Sequence, residues 1–203
     1  MAKRTGDKYR NIIEAAVKVI AENGYHNSQV SKIAKEAGVA DGTIYLYFRN
    51  KEDVLVSLFK VKMGEFTSLA QKELDAIQNP FAKLAKLIGM HLTRLENDRH
   101  LALVLQIQLR QSDASIRNAI AEPLKDYSRL IEGMVSHGQN EGSFRNDIGL
   151  KLARQILFGA IDEVATSWVL SSKNYSLSAQ IEPIYRVLAK ALSNDGRHPD
   201  YPF

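Results

Sequence analysis

The stretch that most limits what this chain can fold into runs from Val30 to Lys51, VSKIAKEAGVADGTIYLYFRNK. Val30, Ile33 and Ala34 fall at i, i+3 and i+4, which gathers them on one face of a helix. Within Ala37-Gly38-Val39, Gly38 suits the left-handed position just past a helix end, and Val39 can then turn back into a core. Asp41 is expected to N-cap a second short helix, with Gly42 and Thr43 in its first turn. Ile44 and Phe48, four apart, point inward and leave Thr43, Tyr45 and Tyr47 on other faces. Asn50 caps a third helix that begins at Lys51. Two short helices around a glycine turn are the layout of a helix-turn-helix, and hydroxyl and aromatic groups on the second helix can bond phosphate or base edges. The plainer alternative is a helical corner in an ordinary all-helical protein.

Charge separates along the chain in the sense a DNA reader needs. Residues 1–51 hold nine Lys/Arg and five Asp/Glu, a net of +4, whereas residues 52–203 hold eighteen of each. A basic, phosphate-seeking segment joined to a neutral body fits that asymmetry. With no cysteine, the chain has neither a disulfide framework nor a thiolate metal site, as suits a reducing cytoplasm. MAKRTGDKYR lacks the apolar run of a secretion signal. The longest apolar-rich stretch, Leu101 to Leu109, is nine residues and is interrupted by Gln106 and Gln108, far short of the roughly 18 residues of a membrane span.

The chain reads as about nine helices and no strands. Lys3 and Arg4 lie in a loose N-terminal arm that either reaches DNA or only solubilises the chain. Asp7 to Asn23 is amphipathic through Ile12, Ile13, Ala16, Val17 and Ile20, and Asn23-Gly24 ends it in a left-handed cap. Ser28 is expected to cap the helix at Val30, making that N-terminus a candidate phosphate contact. Lys51 to Ile77 is one long connecting helix, about 40 Å at 1.5 Å per residue, stopped by Asn79-Pro80. Helices follow over Pro80–Asn97, Leu101–Gln111 and Ala114–Gln139, the last kinked or broken by Pro123. Asp147 is expected to cap a helix running to about Leu170, with one apolar face for the core and one for a partner chain; Gly159 there allows close helix approach. Ser176 to Ser193 is the last helix, and residues 194–203 form a frayed tail. The domains are expected to be 1–50 for DNA binding and 78–203 for ligand binding and dimerisation, joined by the 51–77 helix.

Little in the chain suggests catalysis. His26, His91, His100, His137 and His198 show no metal-ligand spacing, and no phosphate loop or nucleophile elbow occurs. Asp162 and Glu163, adjacent in sequence, do not share a helix face. The chain is therefore read as a non-enzyme without metal or cofactor. His91 is either a core histidine or a ligand contact, and Arg110, expected to be buried, requires an acidic partner or an anionic ligand.

Residues 9–66, and GVADGTIYLYFRNKEDVL in particular, resemble the N-terminal domain of TetR-family transcriptional repressors. LQIQLRQS and ARQILFGAIDEVATSWV extend the likeness, more loosely, to the family's acyl-CoA-responsive repressors of fatty-acid degradation. The resemblance implies a homodimer with a three-helix DNA domain and a larger helical ligand and dimerisation domain. It places Ala40, Asp41, Gly42, Thr43, Tyr45 and Tyr47 in the recognition helix or its entry, with Lys51 on phosphate. Gly42 stands where some members carry proline, which puts base readout there in question. The last two long helices would form a four-helix bundle with their mates through Phe158, Gly159, Asp162, Thr166, Ile181, Ile184, Tyr185 and Leu188. The implied ligand is a long-chain acyl-CoA whose binding releases a palindromic operator. Tunnel candidates are Phe66, Leu87, His91, Leu95, Leu103, Gln106, Ile107 and Trp168, with Arg110 as an anion contact. The rival reading is a repressor of the same type that senses a drug or another small hydrophobic compound.

Overall fold

The computed structural model describes residues 6–196 and 200–203; Lys3, Arg4 and His198 lie outside the described residues. Among those described, nine α-helices and one 3-10 turn follow in order: α1 Asp7–Asn27, α2 Val30–Glu36, α3 Asp41–Tyr47, α4 Lys51–Asp75, α5 Pro80–Asn97, α6 Arg99–Gln108, α7 Ala114–Asn140, α8 Leu150–Leu170, the turn Ser178–Gln180, and α9 Ile181–Leu192. Contacts group them into two units. The first takes the described residues up to Gly64 together with His100–Pro123; the second takes Glu65–Arg99 with Leu124–Phe203.

In the first unit, α1 buries Ile12, Ile13, Ala16, Val17 and Ile20, the stripe its sequence sets out. The helix breaks at Gly24, whose φ of 72° and ψ of 156° suit glycine alone. Ser28 does not cap α2. Its buried hydroxyl donates to the Val19 and Gly24 carbonyls at 3.1 and 2.7 Å, and Gln29 occupies the N-cap without a side-chain bond. The α2–α3 turn closes as the sequence requires: Val39 N–H donates to Ala34 O, Gly38 N–H to Lys35 O, and Gly38 has a φ of 66°. That double bond past a left-handed residue satisfies the carbonyls a helix end leaves open. Asp41 is the first residue of α3, not its cap; Ala40 holds that place. Phe48 is fully buried and stacks on Tyr9, ring centroids 5.2 Å apart and planes 17° apart. Asn50 does cap α4, accepting from Asp53 N–H at 2.8 Å. Val54, Leu55, Leu58 and Phe59 of α4 then bury completely.

In the second unit α5 packs chiefly on α9 and α8. Asn79 accepts from Ala82 N–H at 3.0 Å and Pro80 opens α5, the arrangement in which proline's missing N–H costs nothing. α7 runs on through Pro123 without a break. Asp147 is not a cap: its carboxylate takes two bonds from Arg145, at 2.6 and 2.7 Å, and Gly149 precedes α8. The last helix is shorter than its pattern, with residues 178–180 wound as a 3-10 turn. Residues 143–145 pair with 192–194 through a short antiparallel bridge. Nor is the end of the chain frayed at Tyr201, whose ring meets Tyr185 edge-on at 5.4 Å.

Candidate DNA-reading helix and effector core

α3 packs on α2 and turns the rest of its surface to solvent. Ile44 and Phe48 are buried; Ala40, Asp41, Gly42 and Tyr45 are exposed, and Thr43 is half-buried. Tyr45 is 55% exposed and Leu46 57%. The sequence reading overlooked Leu46, although its place two residues after Ile44 already takes it off the inward face. Tyr47 is half-buried, its ring tilted against Tyr9 at 6.2 Å, so it both supports α3 and borders its outer face. Ser28 belongs elsewhere: hydroxyl and backbone N–H are both bonded to α1 carbonyls, and neither can reach a phosphate. Lys51 Nζ donates to Tyr25 O and His26 O, each at 3.0 Å, and lies 4.6 Å from the centre of the Tyr25 ring. Two of its three N–H groups are thus taken.

The same Tyr25–His26 turn borders a cleft of about 400 Å³ between residues 24–27 and residues 107–112. Ile107 and Arg110 line it, both exposed. Arg110 is therefore not buried: α6 ends at Gln108, and the guanidinium bends back to donate to Gln106 O at 2.6 Å. Gln106 is buried and Leu103 half-buried in this unit. Burial also lifts the Tyr25 phenol to about 12, so it remains a neutral donor at the cleft.

The other tunnel candidates lie in the second unit. Leu87 and Leu95 are core side chains. Trp168 is closed off, its indole N–H donating to Tyr175 O at 2.9 Å and its face covered by Arg99 at 4.6 Å. His91 and Phe66 meet around a residue the sequence did not single out, Tyr127. The Tyr127 hydroxyl sits 2.7 Å from His91 Nδ1. Phe66 stands edge-on to both rings at 5.6 Å, and Phe158 approaches Tyr127 at 6.2 Å. Desolvation drives the His91 pKa down to about 4 and raises that of Tyr127, with the Asp162 charge adding to the rise. Both side chains are neutral at ordinary pH.

The residues assigned to a partner interface divide. Ile184, Tyr185 and Leu188 are buried in the chain's own core, Tyr185 completely, so they are not free to meet another subunit. Thr166 is buried with its hydroxyl on Asp162 O at 2.8 Å. Phe158, Asp162 and Ile181 are half-buried, and Gly159 is exposed. The large apolar groups of these helices that do face outward are Leu152, Ile156 and Leu170 on α8 and Val187 on α9, the last 68% exposed. On α9, Val187 lies one residue of helical phase from the expected Leu188, because α9 packs against α5 and α8, whereas on α8 the exposed Gly159 shares a face with Ile156.

A helix-turn-helix in one unit and, in the other, a helical body with a buried polar pair are the parts of a ligand-responsive DNA-binding regulator. Residues 12–58 match the model of the bacterial regulatory proteins of the tetR family, and residues 59–191 match that of the YsiA-like C-terminal region. The chain belongs to the TetR family and is a transcriptional regulator, not an enzyme. It is 47% identical to the fatty acid metabolism regulator protein of Bacillus subtilis over 95% of this chain and 99% of that one. Two solved structures are similar to it at 47% identity. The fatty acid degradation regulator FadR of Bacillus halodurans matches at a TM-score of 0.88, over 91% of this chain and 99% of that one. FadR of Bacillus subtilis in complex with stearoyl-CoA matches at 0.87, over 94% and 100%. No helix among the described residues is long and apolar enough to cross a membrane.

Proposed function

We propose that this chain is a cytoplasmic repressor of fatty-acid degradation genes that binds a palindromic operator as a homodimer and is released by long-chain acyl-CoA. The observation that carries the reading is the 47% identity, over nearly the whole of both chains, to the fatty acid metabolism regulator of Bacillus subtilis and to the Bacillus subtilis FadR solved with stearoyl-CoA. Ala40, Asp41, Gly42, Thr43, Tyr45 and Tyr47 form the reading surface, with Leu46 added for contact to thymine methyls. Lys51 offers its remaining N–H to a phosphate. Leu152, Ile156, Gly159 and Val187 meet their mates in the dimer, which sets the two reading helices about 34 Å apart, one turn of DNA.

Release follows from differential affinity. An effector shifts the protein between two states only to the extent that it binds one better, and a tenfold loss of operator affinity needs about 1.4 kcal/mol of that difference. Thermal unfolding tests the ligand class. Palmitoyl-CoA at a hundredfold its dissociation constant adds about 2.7 kcal/mol, which raises the midpoint by about 5–10 °C for a chain of this size, while CoA alone and palmitate give less. No shift with any acyl-CoA refutes the acyl-CoA reading. Salt tests the DNA contact. With about six phosphates neutralised, operator affinity drops roughly a thousandfold between 50 and 200 mM salt; a flat profile in a gel-shift titration is incompatible with it.

A further inference from the structure

His91 and Tyr127 hold more hydrogen-bonding capacity than they use. A neutral imidazole has one N–H and a phenol one O–H, two donors in all. Their mutual bond at 2.7 Å uses one, whichever tautomer the ring adopts. It is also the only hydrogen bond that either side chain makes among the described residues. Asp162 raises the phenol's pKa through its charge. One donor therefore remains without an acceptor at a place where His91 is only 9% exposed.

The surroundings are apolar. Phe66 and Phe158 flank the pair edge-on, and both are only half-buried, so the cluster borders open space rather than sealed core. Thr67 Oγ1 is the only buried side-chain polar atom without a partner among the described residues, so the spare donor of the pair faces that open side; set beside aromatic rings, it selects a ligand that is hydrocarbon over most of its length and carries a single acceptor oxygen. We propose that the His91–Tyr127 pair is the polar anchor of the effector site, its remaining donor holding the thioester carbonyl oxygen of the acyl chain between Phe66 and Phe158. This rests on the acyl-CoA reading above and adds to it the atom that is recognised. The methylenes of the chain offer no acceptor; the thioester carbonyl offers one.

The experiment compares palmitoyl-CoA with S-hexadecyl-CoA, the thioether of equal length that lacks the carbonyl. The wild-type chain binds the thioester about fivefold to tenfold more tightly, the worth of one neutral hydrogen bond. The double variant His91→Leu/Tyr127→Phe binds the two equally. Replacing both partners by apolar groups of similar shape is close to neutral for folding, which far-UV dichroism checks. Infrared spectra of palmitoyl-CoA labelled at the carbonyl provide a readout that needs no variant: the C=O stretch of the bound ligand moves to lower wavenumber than in an apolar solvent. Equal wild-type affinities, a thioester preference that survives in the double variant, or an unshifted carbonyl each overturn the anchor while leaving acyl-CoA sensing intact. Failure of the wild type to bind either ligand overturns both.

Discussion

Replacing Phe48 with alanine lowers the unfolding free energy by about 3–5 kcal/mol, the range for deleting a fully buried phenylalanine ring, and abolishes operator binding. The ring is completely buried and stacked on Tyr9. Aromatic pairing adds about 0.5–1.5 kcal/mol to the burial itself. Phe48 also ends α3, its N–H bonded to Ile44 O at 2.9 Å. Its removal therefore loosens the joint that aims the reading helix, and Tyr47, tilted against the same Tyr9 ring, loses its support with it. Urea unfolding gives the first quantity and gel shift the second. Phe48→Leu, which keeps most of the volume, costs less than about 1.5 kcal/mol. A loss below 1 kcal/mol for the alanine variant would show that the ring is not what holds α3 in place.

Two glycines of one helix respond in opposite directions to the same change. At Gly133 of α7 an added Cβ meets nothing within 4 Å, and alanine there stabilises the helix by up to about 1 kcal/mol through its higher propensity. At Gly138, five residues on, the new Cβ would overlap the Phe144 ring, with two ring atoms at 2.6 Å and a third closer still. Phe144 cannot easily yield. It is buried, meets Phe81 edge-on at 5.1 Å, and its backbone N–H donates to Gly138 O at 2.9 Å. Overpacking of this kind typically costs about 1–3 kcal/mol, which outweighs the propensity gain. Gly138→Ala is therefore destabilising by about 1 kcal/mol net while Gly133→Ala is stabilising, a pair that differential scanning calorimetry resolves. Stabilisation at both positions would mean that Phe144 has another place to go.

What the sequence revealed and what it hid divide by the range of the interaction. The Gly38 turn and the Asn50 cap are decided within four residues, and both form as their local pattern demands; the Asn79 cap of α5 is equally local, though the sequence reading took Asn79-Pro80 only as the stop of the helix before it. Ser28, Asp41 and Asp147 carry equally good capping side chains, yet each is claimed or displaced. α1 carbonyls take the Ser28 hydroxyl, Ala40 precedes α3 in extended geometry, and Arg145 pairs with Asp147. The apolar character of α8 and α9 was legible, but not which of two neighbouring faces turns inward. A stripe of Ile184, Tyr185, Val187 and Leu188 allows either phase, and packing on α5 and α8 chooses. His91 stood out as an isolated polar group on an apolar face. Its partner Tyr127 did not, because a tyrosine in a helical stripe reads as core and the two are 36 residues apart.

Trp168 gives the second unit an optical signature of its own. It is the only tryptophan in the chain, its indole bonded to Tyr175 O and its face covered by the Arg99 guanidinium. Fluorescence excited selectively at tryptophan thus reports on the α8 end of that unit alone, while the DNA-reading unit contributes only tyrosine emission. Far-UV ellipticity sees the helices of both. If the two signals change together on heating, the units melt as one; if they part, each has its own transition, and a single midpoint no longer describes the molecule.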